Sequence, residues 1–201
     1  MIQELVASSR SYRRFHEDQP VDEAVLRELV DLARLSPSGG NLQPLKYLLS
    51  ARPQRNALIF PHLAWASYLP QWKGPEPGER PAAYIVIVLD RTVSATPGCD
   101  HGIACQSILL GAREKGLGGV IIGNINRKAL TQVLGLGENL EPLLVIALGR
   151  PKETVVIDDL PPGGSHKYWR DEASVHHVPK RRLGDILVPW GETPPADGPE
   201  A

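Results

Sequence analysis

Two clusters of cations and two glycine-bearing segments hold the side chains best suited to chemistry. The first cluster, Arg10-Ser11-Tyr12-Arg13-Arg14-Phe15, crowds three guanidiniums and a serine hydroxyl together. A guanidinium is a planar fork of donors matched to phosphate oxygens, so this run suits a phosphate monoester. Beside Glu17-Asp18 it reads equally as a solvated basic turn, since charge runs commonly face water. In Ser36-Pro37-Ser38-Gly39-Gly40-Asn41-Leu42-Gln43-Pro44, two glycines admit close approach of backbone amides to a flat ligand. Asn41 and Gln43 add donors and acceptors for the edge of a heteroaromatic ring. The competing reading is a plain turn, built from the usual turn residues. Leu117-Gly118-Gly119-Val120-Ile121-Ile122-Gly123-Asn124 is a strand flanked by glycines that either presents bare N–H groups to a ligand or is simply buried. Lys180-Arg181-Arg182-Leu183 is a second basic cluster, or an exposed charged turn.

Other chemistries have weaker support. Cys99, His101, Cys105, His176 and His177 include metal-ligating types, but there is no second Cys/His pair at finger-like spacing, and Cys105 falls at a packing position of a helix pattern; no metal is expected. No G-x-G-x-x-G or G-x-x-x-x-G-K-[ST] follows a strand, which excludes Rossmann and P-loop readings.

The elements that must position these residues follow from periodicity. Val25, Leu26, Leu29, Val30 and Ala33 share one face of a helix over 22–35 with Asp22 as its cap, ended by the proline and glycines that follow. Strands are expected at 45–50, 84–89, 119–122 and 143–148. Asp100 is expected to cap a long helix with a small apolar face that Gly116 ends, and Asn126 to open a helix to Leu134. Residues 70–81, with four prolines, read as a surface excursion following an aromatic patch of Phe60, Trp65, Tyr68 and Trp72, and 158–166 as loop. Loosely alternating strands and helices make an α+β or mixed α/β domain.

The 201 residues are 42% hydrophobic and 22% charged, enough for one domain with its own core, and the net charge of -1 offers no field for nucleic acid or an anionic membrane surface. The longest apolar runs fall far short of a membrane span, and no leader pattern opens the chain, so a cytoplasmic protein with free thiols is expected. Residues 189–201 have little to bury and read as a frayed tail after a domain over 1–188.

Taken in order, these segments resemble the nitroreductase family of FMN flavoproteins. Arg10 to Phe15 is similar to its R-S-x-R-x-F start, and Pro37 to Pro44 to its P-S-x-x-N-x-Q-P loop. Gly102 to Leu110 with Gly116-Leu117-Gly118 resembles its central helix and glycine turn; Ile122-Gly123, Gly149-Arg150-Pro151 and Lys180-Arg181-Arg182-Leu183 resemble later motifs. Ser9 stands where many members have a further arginine, Asn124 where glycine is common, and Leu58 to Pro81 matches the better-known members poorly. The resemblance implies an α+β fold, a mixed sheet flanked by helices, in an interlocked homodimer with FMN at the subunit interface. It assigns the FMN phosphate to Arg10, Ser11, Arg13, Lys180 and Arg182, and the ring and ribityl chain to Pro37, Ser38, Gly39, Asn41 and Gln43. Backbone donors near the reactive nitrogen fall to Ile122 and Gly123. The activity implied is transfer of electrons from NADH or NADPH through FMN to a small, aromatic or quinone-like acceptor, with no catalytic side chain named. An FMN-binding store or sensor is the alternative.

Overall fold

The computed structural model describes residues 1–191; the sequence-predicted tail over 189–201 falls mostly outside the described residues. In chain order the elements are α1 (Ile2–Ser8), α2 (Glu23–Leu35), β1 (Leu45–Ser50), α3 (Pro53–Ile59), β2 (Ala83–Asp90), α4 (Asp100–Glu114), β3 (Gly118–Ile122), α5 (Arg127–Val133), β4 (Leu140–Gly149), β5 (Val155–Asp159), β6 (Trp169–Arg170) and β7 (His176–Lys180). The first four strands form an antiparallel sheet in the order β1-β2-β4-β3, and a smaller sheet runs β5-β7-β6.

Both faces of the larger sheet are covered, and every residue of β2 is buried. On one face Ile85, Ile87, Ile146 and Leu148 pack with Leu26 and Leu29 of α2 and Ala104 and Ile108 of α4. On the other, Tyr84, Val86, Val145, Ala147 and Val120 pack with Ile59 of α3 and Leu130 of α5. A fully buried leucine or isoleucine stabilises such a core by about 1.5–3 kcal/mol. The small face of α4 lets α2 approach closely: a Cβ on Gly111 would fall 2.3 Å from Leu32 Cδ1.

Local signals act as expected in two helices. The Asp22 carboxylate accepts from the Ala24 amide at the start of α2, and Asn126 accepts from the Ala129 amide at the start of α5. The chain leaves α4 through Gly116 at φ +73°, where a side chain would be strained. Asp100 corrects the expectation: Cys99 is the N-cap of α4, and the Asp100 carboxylate turns to the Ser38–Gly39 loop. The 70–81 segment is no free excursion either, because Gly74, Pro75 and Pro81 are buried and Glu79 takes a forked pair of bonds from Arg14 at 2.7 and 2.6 Å. Cys99 and Cys105 are free thiols, and burial pushes Cys105 up to about 12, which makes it an inert packing group. No helix among the described residues is long and apolar enough to cross a membrane.

Candidate functional site

The sequence-predicted residues divide into three places. Ser11 forms a parallel bridge with Gly119, so the Arg10–Arg13 strip runs along the outer edge of β3. From there Arg10 joins Lys180 in a groove with Ile2, Val6 and Ile157, donating to the Val6 carbonyl at 2.7 Å. Arg13 instead lines a hollow of about 210 Å³ with Trp65, Val120, Ile121, Ile122, Gly123 and Tyr168. Two cations that are neighbours in sequence therefore serve different hollows. Arg182 is exposed at the start of a short 3-10 turn beyond β7.

The backbone of β3 explains which amides reach that hollow. Tyr12 N donates to the Gly119 carbonyl at 3.1 Å, so Gly119 presents its polar groups to the outer edge. Since N–H and C=O groups alternate sides along a strand, Ile121 presents its groups to the same open edge and Gly123 stands next in that series. Ile122 lies in the opposite phase, turned toward its partner Val145 in β4. Ile122 therefore helps to wall the hollow without aiming its amide at the outer edge, and Ile121 is an edge donor that motif reading missed. Gly119 fits only because it has no Cβ, which would meet the Ala147 carbonyl oxygen at 2.8 Å.

The third place is the loop before β1. Pro37, Ser38 and Gln43 line a cavity of about 190 Å³ with Tyr47, Asp100 and Ala104. Asp100, 8% exposed, accepts from Ser38 Oγ at 2.5 Å and from the Gly39 amide at 2.9 Å. Ser38 Oγ in turn accepts from the Gln43 amide at 2.9 Å, so one carboxylate braces both ends of the turn. Gly40, Asn41 and Gln43 all adopt φ near +55°, a region that costs non-glycine residues strain and is met at sites the surroundings over-determine. Gln43 Nε2 lies 3.2 Å from both the carbonyl and the side-chain oxygen of Asn41, and both residues are exposed.

The loop and the hollow are far apart within one chain. Leu48 pairs with Val86, Val86 with Val145 and Val145 with Ile122, three strand spacings or about 14 Å across the sheet.

Several residues absent from the motif reading surround Arg13. Its Nη1 donates to the Ser11 carbonyl at 3.1 Å and lies 3.2 Å from His176 Nε2, and its guanidinium sits 4.9 Å from the Tyr168 ring centre. Glu153, whose side chain is almost fully buried, accepts from the main-chain amides of Arg13 and Arg14 and from Arg170. Burial first, and then the charges of Arg13 and Arg170, hold the His176 pKa down at about 4. His177, on the opposite side of β7, stacks on Trp169 at 4.1 Å between Asp158 and Asp171. Burial opposes its charge, but the bonds to Asp158 and Asp171 prevail and raise its pKa. No group of three or more metal-ligating side chains forms among the described residues.

Comparison with known proteins supplies the frame for this geometry. The model of the nitroreductase family matches residues 6–150. A protein of Archaeoglobus fulgidus designated NADH dehydrogenase/NAD(P)H nitroreductase is 29% identical over 157 residues, covering 74% of this chain and 84% of its own. The nitroreductase family protein of Streptococcus pneumoniae superposes with a TM-score of 0.63 at 20% identity, covering 77% of this chain and 92% of its own. The NADPH:FMN oxidoreductase of Vibrio harveyi, solved with NAD+, gives 0.58 at 23% identity, covering 75% and 69%. At these identities the two structures show a shared fold.

Proposed function

The chain belongs to the nitroreductase family, and on that premise we propose that it is an FMN-dependent oxidoreductase carrying electrons from NADH or NADPH to a small aromatic or quinone-like acceptor. The observation that carries this reading is the hollow at the open edge of β3, where Arg13, Ile121, Ile122 and Gly123 meet the rings of Trp65 and Tyr168. The donor set fits a flavin. Its ring is flat with acceptors along one edge, and the hollow offers aromatic walls, a cation and edge amides; the Trp65 indole N–H is buried without a partner among the described residues.

In this reading Arg10 and Lys180, with Ser11 and Arg182 nearby in the chain, hold the phosphate, where several cationic donors suit a dianion. Arg13 stands at the ring end, where its charge favours the reduced and more negative form. FMN, when bound, supplies the redox centre, so no side chain need act as acid, base or nucleophile. Residues 1–188 would act as one FMN-binding unit.

The loop of Pro37, Ser38, Gly39, Asn41 and Gln43 lies too far across the sheet to share a ring with Arg13 of the same chain. A second copy that brings its own loop to the hollow completes the site, which makes the active species a homodimer. Exposed apolar side chains beside the loop, Leu35 at 65% and Leu42 at 56%, suit such a contact, as do Ile186, Leu187, Val188 and Trp190 near the end of the described chain.

The test is spectroscopic. Purified protein loaded with FMN should show an oxidised flavin spectrum that anaerobic NADH or NADPH bleaches. A colourless protein that cannot be loaded with FMN refutes the cofactor assignment, and a loaded protein that neither nicotinamide bleaches refutes the reductase in favour of a flavin store or sensor.

A further inference from the structure

His176 is 1% exposed and touches Arg13 through Nε2, while its Nδ1 has no partner among the described residues. A guanidinium has donors only, so Nε2 must accept, and the neutral ring then carries its hydrogen on Nδ1. The fold therefore keeps a buried N–H without an acceptor, an expense that phenylalanine or leucine at this position would avoid. What the imidazole alone supplies is an acceptor facing Arg13.

Arg13 has few other anchors. The carboxylate that holds its main-chain amide, Glu153, is also engaged by the Arg14 amide and by Arg170, and the described residues give the Arg13 guanidinium no ion pair. Its guanidinium is gripped by the Ser11 carbonyl, by His176 Nε2 and by the face of Tyr168. Tyr168 in turn packs on the His176 ring at 5.1 Å, so the last two form one bracket. Arg170, the other cation close by, is held separately, paired with Glu153 and placed 4.3 Å from the Trp72 ring.

We propose that His176, backed by Tyr168, is a positioning residue that holds the Arg13 guanidinium at the wall of the β3-edge hollow; its effect on the flavin rests on the functional reading above. Neither residue belongs to the motifs that mark the family in this sequence. The bracket ties the small sheet, through β7, to the ring end of the site.

The experiment separates the bracket from the cofactor. In 15N-labelled protein without added FMN, the Arg13 guanidinium should give distinct, slowly exchanging NMR signals. His176→Phe, which keeps a ring but removes the acceptor, should average those signals without lowering the melting temperature, and His176→Gln, which restores an acceptor, should bring them back. In FMN-loaded protein, His176→Phe should weaken the preference for reduced flavin about tenfold, a fall of about 30 mV for a two-electron couple. The same change in an Arg13→Met background should add nothing. Unaltered Arg13 signals in His176→Phe, or an equal fall of potential in the Arg13→Met background, would overturn the proposal. If His176→Phe does not fold, Tyr168→Leu removes the other wall and the same Arg13 signals decide. Failure of FMN to bind would count against the functional reading, whereas the Arg13 signals of the FMN-free protein would still decide the role of His176.

Discussion

Replacing Asp100 tests whether the loop before β1 is held from outside itself. In Asp100→Ala the Gly39 amide loses its acceptor and the Ser38 hydroxyl loses the oxygen 2.5 Å away. A bond to a carboxylate is worth about 1.5–3 kcal/mol, and relief of carboxylate burial offsets part of two such losses. Loss of an acidic residue from the first turn of α4 adds about 0.3–1 kcal/mol. The sum is about 2–4 kcal/mol, which lowers the melting temperature by about 4–16 °C for a domain of this size. Asp100→Asn is milder. Its amide oxygen can keep Gly39, but its NH2 then faces Ser38 Oγ and leaves the Ser38 O–H without its acceptor, so the cost is about 1–2 kcal/mol. Calorimetry of the parent, Asp100→Asn, Ser38→Ala and the double variant gives a cycle in which the losses should fall short of additive, because the two side chains share one bond. FMN titration by fluorescence should show weaker binding in the same rank order. A melting temperature for Asp100→Ala within a degree of the parent, or strictly additive losses in the cycle, would refute the reasoning.

Other outcomes follow from the separation of the cations. Arg10→Ala and Lys180→Ala should weaken FMN binding by about 1.5–3 kcal/mol and leave riboflavin binding unchanged, whereas Arg13→Ala should weaken both, as flavin fluorescence titrations would show. Sedimentation of FMN-loaded protein should give a dimer whose thermal stability rises with protein concentration, and a monomer that keeps its flavin would contradict the shared site. The raised His177 pKa means that its pairing with Asp158 and Asp171 is fully present below the ordinary histidine value near 6.5 and is lost as pH rises through the folded value. Trp169 fluorescence, sensitive to the stacked ring, should therefore change over a pH interval above about 6.5 in the parent and not in His177→Gln. Asp90, held at about 2 first by Lys46 and then by Thr92, has the opposite sign: its contribution is complete above about 3.9 and disappears as pH falls through 2, so Lys46→Ala should narrow the acid range of stability seen in melting curves.

The elements legible in the sequence were those whose signals are local. The Asp22 cap, the apolar face of α2, the opening of α5 at Asn126 and the apolar, largely buried runs of β2 and β4 all act within a few residues of where they stand. Asp100 shows the limit of that logic: an aspartate at a helix start looks like a cap, and only the folded chain places Ser38 and Gly39 against it. The small sheet escaped because β5 and β7 are half-exposed five-residue strands paired in parallel and β6 has two residues, too little for a periodic signal. The helix α3 carried a readable mark, Pro53 in its first turn, but seven residues are weak evidence for a helix. At the candidate site, motif order marked the segments proposed to form it, whereas the parting of Arg10 from Arg13 and the bracket of His176 and Tyr168 arise from contacts between residues up to 163 apart in the chain.

The placement of the loop and the hollow on opposite edges of one sheet also has a genetic meaning. If each site draws its loop from one subunit and its cation from the other, damage to Asn41 and damage to Arg13 strike different halves. Two defective alleles, one for each residue, would then produce mixed dimers with one doubly broken site and one intact site. Activity regained when the two inactive proteins are unfolded and refolded together, and absent when they are mixed folded, would be intragenic complementation, a property that a site built within a single chain cannot have.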